Sequence, residues 1–204
     1  MPTGVALRDV RDQLFDAAER VLLRDGPSAL TTRAVTTEAG VANGVLHRHF
    51  ADFDAFLAEL VLDRIERMDS QAAALCEAAG TGTVTGNLAG ALTALFGSVA
   101  VAMVALITFR DELRARLRQT WPAGVPVLTD AVVMVAGYLT AERDLGRIAA
   151  DADAATLAPT LIGAAHLLFA DRTGTPPEAG AVRTMVTAVI GGVVQDPRDA
   201  ARGR

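Results

Sequence analysis

Between Thr31 and Phe50 the chain reads TTRAVTTEAGVANGVLHRHF, and this stretch leaves the backbone little freedom. Either Thr31 or Thr32 can cap a short helix whose inner face is Val35 and Ala39. Gly40 closes that helix, and a second begins near Asn43 and sends Leu46 and Phe50 inward. So short a connection makes the two helices cross steeply. The turn then needs a residue that tolerates left-handed backbone, which Gly40 supplies. Ala39 and Val41 pack under the turn, and position 36 faces the following helix, where Thr36 stands. Val35, Leu46 and Phe50 seal the pair against a preceding helix. Asn43, Gly44, Val45, His47 and Arg48 are left on the exposed side of a helix sized for a DNA major groove.

The flanks supply the helices this pair needs. Leu7, Val10, Leu14, Ala18, Val21 and Leu22 recur at helical spacing until Gly26-Pro27 ends the run. After Phe50, Asp52 can cap a long helix with the apolar stripe Phe53, Phe56, Leu57, Leu60, Val61 and Ile65, predicted to reach Ala79. The Gly80–Gly86 stretch reads as a linker. Helices are then predicted at about 88–108, 111–120, 127–145, 152–171 and 178–194, with a polar tail after them. The fold expected is all-α: a helix-turn-helix domain over residues 1–51 and a larger helical domain over 52–204, with 52–79 as the connecting helix. Abundant Ala and Leu and scarce β-branched alternation agree with that class.

Charge narrows the partners. The formal net charge is -5, so the chain as a whole does not attract nucleic acid. Residues 1–50 hold six Arg against six acids, and the negative excess lies beyond them. Every Lys/Arg position is Arg, which reads as coding bias. The single cysteine, Cys76, excludes an internal disulfide, fits a reducing compartment, and is expected to be a buried thiol. The start of the chain lacks a signal-peptide pattern, so a cytoplasmic location is expected. Leu88 to Phe109 is uncharged and long enough to span a bilayer. Its six Ala, its Gly, Ser and Thr, and the lack of aromatic or basic belts favour a buried helix or helix pair, and no membrane partner is expected.

Residues of about 10–60 resemble the N-terminal domain of TetR-family regulators. The family pattern T-x-R-x-I-A-x-x-A-G-V-S-x-G-x-L-Y-x-H-F is matched by Thr31, Arg33, Val35, Ala39, Gly40, Val41, Gly44, Leu46, His49 and Phe50. Departures are Thr36 for the usual small residue, Ala42 for the capping Ser, His47 for Tyr, and Phe53 for a basic residue near a phosphate. With Ala42 in place of Ser, Asn43 is the expected cap. The resemblance implies a DNA-binding transcription regulator, a repressor acting as a homodimer on a palindromic double-stranded operator and released by a small-molecule effector. The last two helices would pair between subunits as a four-helix bundle, which the small and apolar residues Leu161, Gly163, Ala164, Ala165, Leu168, Val186, Val189, Ile190, Gly192 and Val193 permit. It also implies that Thr32 and His49 donate to phosphates. By chemistry, Arg33 suits a phosphate or a guanine edge, Asn43 an adenine if it does not cap, and Val45 a thymine methyl; Gly44 allows close approach.

For the effector, Phe96, Met103, Phe109, Met134, Tyr138, His166 and Phe169 are the candidate pocket residues, and the uncharged run suggests a mainly apolar ligand. As bland alternatives, most of these are core, and His166 is a hydrogen-bonded core group. His47 and His49 lie two residues apart and face different directions on a helix, so no metal site is expected. No nucleophile-base pair or phosphate loop appears, so neither an enzyme nor a cofactor is expected. Two other readings stand beside the regulator: a membrane-anchored helical protein, and a helical small-molecule binder that has lost DNA binding, suggested by Ala42 and Phe53.

Overall fold

The computed structural model describes residues 4–170, 177–178 and 180–195. These residues are all-helical, with an isolated antiparallel bridge between Ile148 and Val194. Helix α1 (Gly4–Asp25) leads through a 3-10 turn at Pro27–Ala29 to α2 (Thr32–Glu38) and α3 (Gly44–His49). Then come α4 (Phe53–Glu77), α5 (Val84–Phe96), α6 (Ala100–Phe109), α7 (Asp111–Leu117), α8 (Pro126–Asp144), α9 (Ala154–Ala170) and α10 (Ala181–Ile190). The stretch between the last two predicted helices and the polar tail lie almost wholly outside the described residues.

Several helix starts have an identifiable cap. The Thr31 hydroxyl accepts from the Ala34 N–H at 3.2 Å, and Asp52 Oδ1 accepts from Ala55 N–H at 2.6 Å. Thr83 accepts from Gly86 N–H at 3.0 Å, so the glycine-rich linker stops at residue 83 and α5 starts inside the stretch read as linker. The uncharged run at 88–109 forms two helices. A Cβ at Gly97 would lie 2.5 Å from the Thr93 carbonyl oxygen, so glycine is required where α5 closes. No single described helix is long and apolar enough to cross a membrane; α5 and α6 pass that test only as a pair bent by 54°.

The chain forms two compact units, which differ from the 1–51 and 52–204 division. The first comprises the residues up to Arg64 together with Ala102–Val127; the second is Ile65–Val101 and the residues from Leu128 on. The reason lies in side chains of the segment around α7. Arg110 Nε bonds Asp54 Oδ1 at 2.5 Å with its guanidinium over the Phe53 ring, and Arg116 bonds Asp52 at 2.8 Å. The start of α4 is thereby tied to residues 102–127. In the first unit α1 packs on α2, and Phe15, Phe50 and Phe56 form a ring cluster with centroids 5.0–5.9 Å apart. In the second, α10 packs against α5 and α9, and α9 against α5.

Candidate nucleic-acid interface

The helix pair is built as its sequence requires. Gly40 has φ +69°, and nothing lies within 4 Å of where a Cβ would stand, so left-handed backbone rather than crowding demands glycine there. The carbonyl of Ala39 accepts from Gln13 Nε2 of α1 at 2.8 Å, which satisfies an acceptor freed at the end of α2. Val35, Leu46 and Phe50 are buried, and Phe50 docks α3 on Phe15 of α1 and Phe56 of α4. Arg11 lies over the Phe50 ring and pairs with Glu59, so α1 and α4 close over the end of α3.

Arg33, Asn43, Gly44, His47 and Arg48 are exposed, while Thr32, Val45 and His49 are half-buried. No heavy atom lies within 4 Å of a Cβ built on Gly44, so its backbone is open to close approach. Asn43 does not cap α3. It sits in helical backbone with no side-chain cap bond, and its Oδ1 instead accepts from the Thr36 hydroxyl at 3.1 Å. Thr36 is 2% exposed and was a departure from the family pattern. Its Oγ1 also lies 2.9 Å from the Thr32 carbonyl oxygen.

Ion pairing sorts the arginines. Arg11 is paired with Glu59, and Arg20 and Arg24 both hold Glu38 at 2.8 Å. The Arg20 and Arg24 guanidiniums keep the Glu38 carboxyl below its usual range, and they pin α2 to α1. Arg33 and Arg48 have no carboxylate partner among the described residues, and both sit on the exposed face of the pair. Among the described residues Arg118 and Arg183, outside the helix pair, likewise lack a carboxylate partner. The Asp52 carboxyl is likewise held low, first by the Ala55 N–H and then by Arg116.

The candidate pocket residues scatter. Phe169 lines a cavity of about 600 Å³ among α5, α9 and α10, where Gly90, Gly97 and Arg183 also contribute. Phe96, Met103, Met134 and Tyr138 are buried and line neither this cavity nor the one described next. Phe109 is 84% exposed, standing at the end of α6 just before the chain turns into α7. The Tyr138 hydroxyl donates to the fully buried Glu142 at 2.5 Å. Burial, then Glu142, pushes the Tyr138 hydroxyl well above its ordinary range. Glu142 also accepts from Gly80 N–H and meets Arg147, both at 3.3 Å, and Asn87 donates to Tyr138 at 3.0 Å. These residues are a structural clamp on the 78–82 turn. His166 lies 5.9 Å from Phe96, and its Nδ1 is buried without a partner, contrary to the hydrogen-bonded state expected; burial holds the imidazole below its usual value. Cys76, expected buried, is exposed.

Sequence reasoning missed Gln71. It reads as an ordinary polar position on a long helix, yet its Oε1 is buried without a partner, and the residue lines a cavity of about 420 Å³ between α4 and α5 with Ala74, Leu75, Ala78 and Asn87. Of the positions expected at a subunit interface, Leu161, Ala165, Val186 and Ile190 are buried within the protomer. Gly163 and Gly192 are exposed, and Leu167 is 70% exposed. The described residues contain no His, Cys, Asp and Glu group able to hold a metal.

Residues 14–60 match the family model for bacterial regulatory proteins of the tetR family. No curated protein matches the chain significantly. Solved structures do. Escherichia coli NemR in its reduced form superposes with a TM-score of 0.72 at 12% identity, covering 93% of this chain and 99% of that one. A TetR-family regulator from Agrobacterium tumefaciens gives 0.67 at 13%, covering 92% and 99%. The fatty acid degradation regulator FadR from Bacillus halodurans gives 0.64 at 18%, covering 90% and 95%. Residues 14–60 thus carry the helix-turn-helix of the tetR family of bacterial regulatory proteins, and the chain shares the fold of solved structures that include a TetR-family regulator.

Proposed function

We propose that the protein is a transcriptional repressor that grips a two-fold symmetric operator as a homodimer and releases it when a small, mainly apolar ligand binds the second unit. The observation that carries the DNA-binding half is the pairing pattern: Arg33 and Arg48 are unneutralised on the exposed face of α2 and α3, while Arg11, Arg20 and Arg24 are spent on carboxylates. Thr32, Val45, His47 and His49 complete the contact surface, with phosphates and base edges as their targets. One recognition helix reads only a few base pairs, so useful affinity needs a second copy about 34 Å away, one DNA turn. Exposed Gly163 and Gly192, on α9 and just after α10, allow close approach, and exposed Leu167 offers an apolar side chain, so a symmetry mate can pack there. Such a regulator works in the cytoplasm.

The ligand half rests on α4. Its C-terminal half walls the 420 Å³ cavity through Gln71, Ala74 and Leu75, while its N-terminal half belongs to the unit that holds α2 and α3. A ligand that fills this cavity acts on the same helix that carries the reading head. It must bind the DNA-free form better, and DNA must weaken its binding by the same factor, typically about 5–150-fold. The test is a DNA-shift assay on the region upstream of the protein's own gene. A shift that competitor DNA of unrelated sequence fails to remove supports the reading. No specific shift there, or on any sequence drawn from a random library, overturns it in favour of a small-molecule binder without DNA activity.

A further inference from the structure

Two cavities open in the second unit, and their walls differ in charge. Arg183 and Glu178 line the one among α5, α9 and α10. The cavity of about 420 Å³ between α4 and α5 has no Asp, Glu or Arg among its described lining residues; apart from Gln71 and Asn87 these are Ala, Gly and Leu. A carboxylate or ammonium shut in there would lose water and meet no countercharge, which is costly. The two polar side chains are not equivalent. The Asn87 NH2 group is held by the carbonyls of Ala78 and Thr81 and by the Tyr138 hydroxyl, at 3.0–3.1 Å, so Asn87 is committed as a donor to the 78–82 turn. Gln71, half-buried on α4, is not committed at its oxygen. Its Oε1 is shielded from water and accepts from no donor among the described residues, so both lone pairs are unused. Exchanging the oxygen and nitrogen of the amide would put the NH2 group in the same unpartnered place. A buried polar atom without a partner costs free energy. The terminal torsion of a glutamine is soft, so a turn of the amide brings this acceptor to the cavity that the side chain already lines.

We infer that Gln71 sets the specificity of the cavity between α4 and α5, and that its ligand is an uncharged, mainly apolar molecule with a hydroxyl or N–H group that donates to Gln71 Oε1. This rests on the reading above that the cavity against α4 is a ligand site. The donor supplies the partner that the amide lacks, and the apolar body covers Leu75 and the alanines. A hydrocarbon of the same shape fills the space but leaves Oε1 unpartnered. A carboxylate is refused for want of a countercharge. The volume, near the low end of the roughly 300–1,000 Å³ usual for ligand pockets, suits a small ligand.

The test measures equilibrium dialysis at pH 7, without DNA, of two matched sets of probes against the full-length protein. One set is p-tert-butylphenol, tert-butylbenzene and p-tert-butylbenzoate; the other is naphthol, naphthalene and naphthoate. The phenols are neutral at that pH, as the tyrosine side chain is. The proteins are the wild type, Gln71→Leu, Gln71→Met, Ala74→Trp and Arg183→Ala, and circular dichroism melts confirm that each is folded. Ala74 is exposed and lines this cavity but not the other, so tryptophan there blocks one site alone. The wild type is expected to bind at least one phenol at least about fivefold more tightly than its hydrocarbon, the low end of what an unpartnered buried polar group costs. Gln71→Leu and Gln71→Met should erase that advantage, Ala74→Trp should abolish binding of both, and Arg183→Ala should change neither. Equal affinity for phenol and hydrocarbon, an advantage that survives both Gln71 variants, or binding that Ala74→Trp leaves intact overturns the inference. So does tightest binding of a carboxylate that Arg183→Ala removes, which moves the ligand to the other cavity, and so does a wild type that binds no probe. Adding a labelled operator then separates the two readings: a phenol that binds through Gln71 but releases no DNA overturns release by this ligand, while the chemistry of the cavity stands.

Discussion

The sharpest consequence of the ion-pairing pattern is a shallow salt dependence. Counterion release makes log K fall with log salt at about 0.9 per neutralised phosphate. Arg11, Arg20 and Arg24 already face carboxylates, so they add little. Arg33 and Arg48 remain, and in a dimer they make four contacts. The expected slope is about -3.6, or a loss of roughly 150-fold in affinity between 50 and 200 mM salt. Arg33→Ala and Arg48→Ala each remove a symmetric pair and should bring the slope to about -1.8 if both arginines rest on phosphates. Glu38→Gln works in the opposite direction: it leaves Arg20 and Arg24 held less firmly and should steepen the slope. Fluorescence anisotropy with a labelled operator across a salt series measures all four proteins. A wild-type slope near -10, or slopes that neither arginine variant changes, would refute the reasoning, because the fixed charges would then lie elsewhere.

Removing the buried carboxylate with Glu142→Ala strands the Tyr138 hydroxyl, Gly80 N–H and Arg147, and should cost about 3 kcal/mol in urea unfolding; no loss would show that the clamp is idle. Gly40→Ala meets no steric obstacle but puts a side chain at φ +69°, so a loss of about 1–2 kcal/mol is expected from backbone alone. His166 is held below its ordinary value, so the unfolded chain takes up its proton first as pH falls. The wild type should therefore lose stability below about pH 6.5 relative to His166→Gln, and parallel melting curves in that window would remove the imidazole as the cause. Thr31→Ala deletes the cap of α2 and should cost about 1 kcal/mol by the same unfolding assay.

The helix-turn-helix was legible because several independent requirements fall on consecutive residues. Gly40 satisfies a backbone angle, Val35, Leu46 and Phe50 a core, and Thr31 and Asp52 the caps, all set by local chemistry. The role of Asn43 was not legible: capping and pairing with Thr36 use the same amide, and only the crossing of α2 and α3 decides between them. The second unit was harder because small apolar residues tell little about which face turns inward. Phe109 and Phe96 look alike in sequence, yet one is 84% exposed and the other fully buried. The 88–109 run breaks after Gly97, where a Cβ would crowd the Thr93 carbonyl, a contact that periodicity does not reveal. The tie between residues 52–54 and 110–116 spans more than fifty positions and leaves no periodic trace.

That long-range tie bears on synthesis. The unit that holds α2 and α3 includes Ala102–Val127, so it is not complete when the ribosome has passed its N-terminal portion. Residues 65–127 must be added before that unit is whole, with Asp52 and Asp54 against Arg116 and Arg110. At about 5–20 residues per second that is roughly 3–13 s during which the reading head exists without the last of its partners. A fragment ended at residue 51 or 64 lacks them for good. The helix-turn-helix of this protein, contiguous in its motif, sits in a compact unit that is discontinuous in sequence, and that unit is whole only once most of the chain's first two thirds has been made.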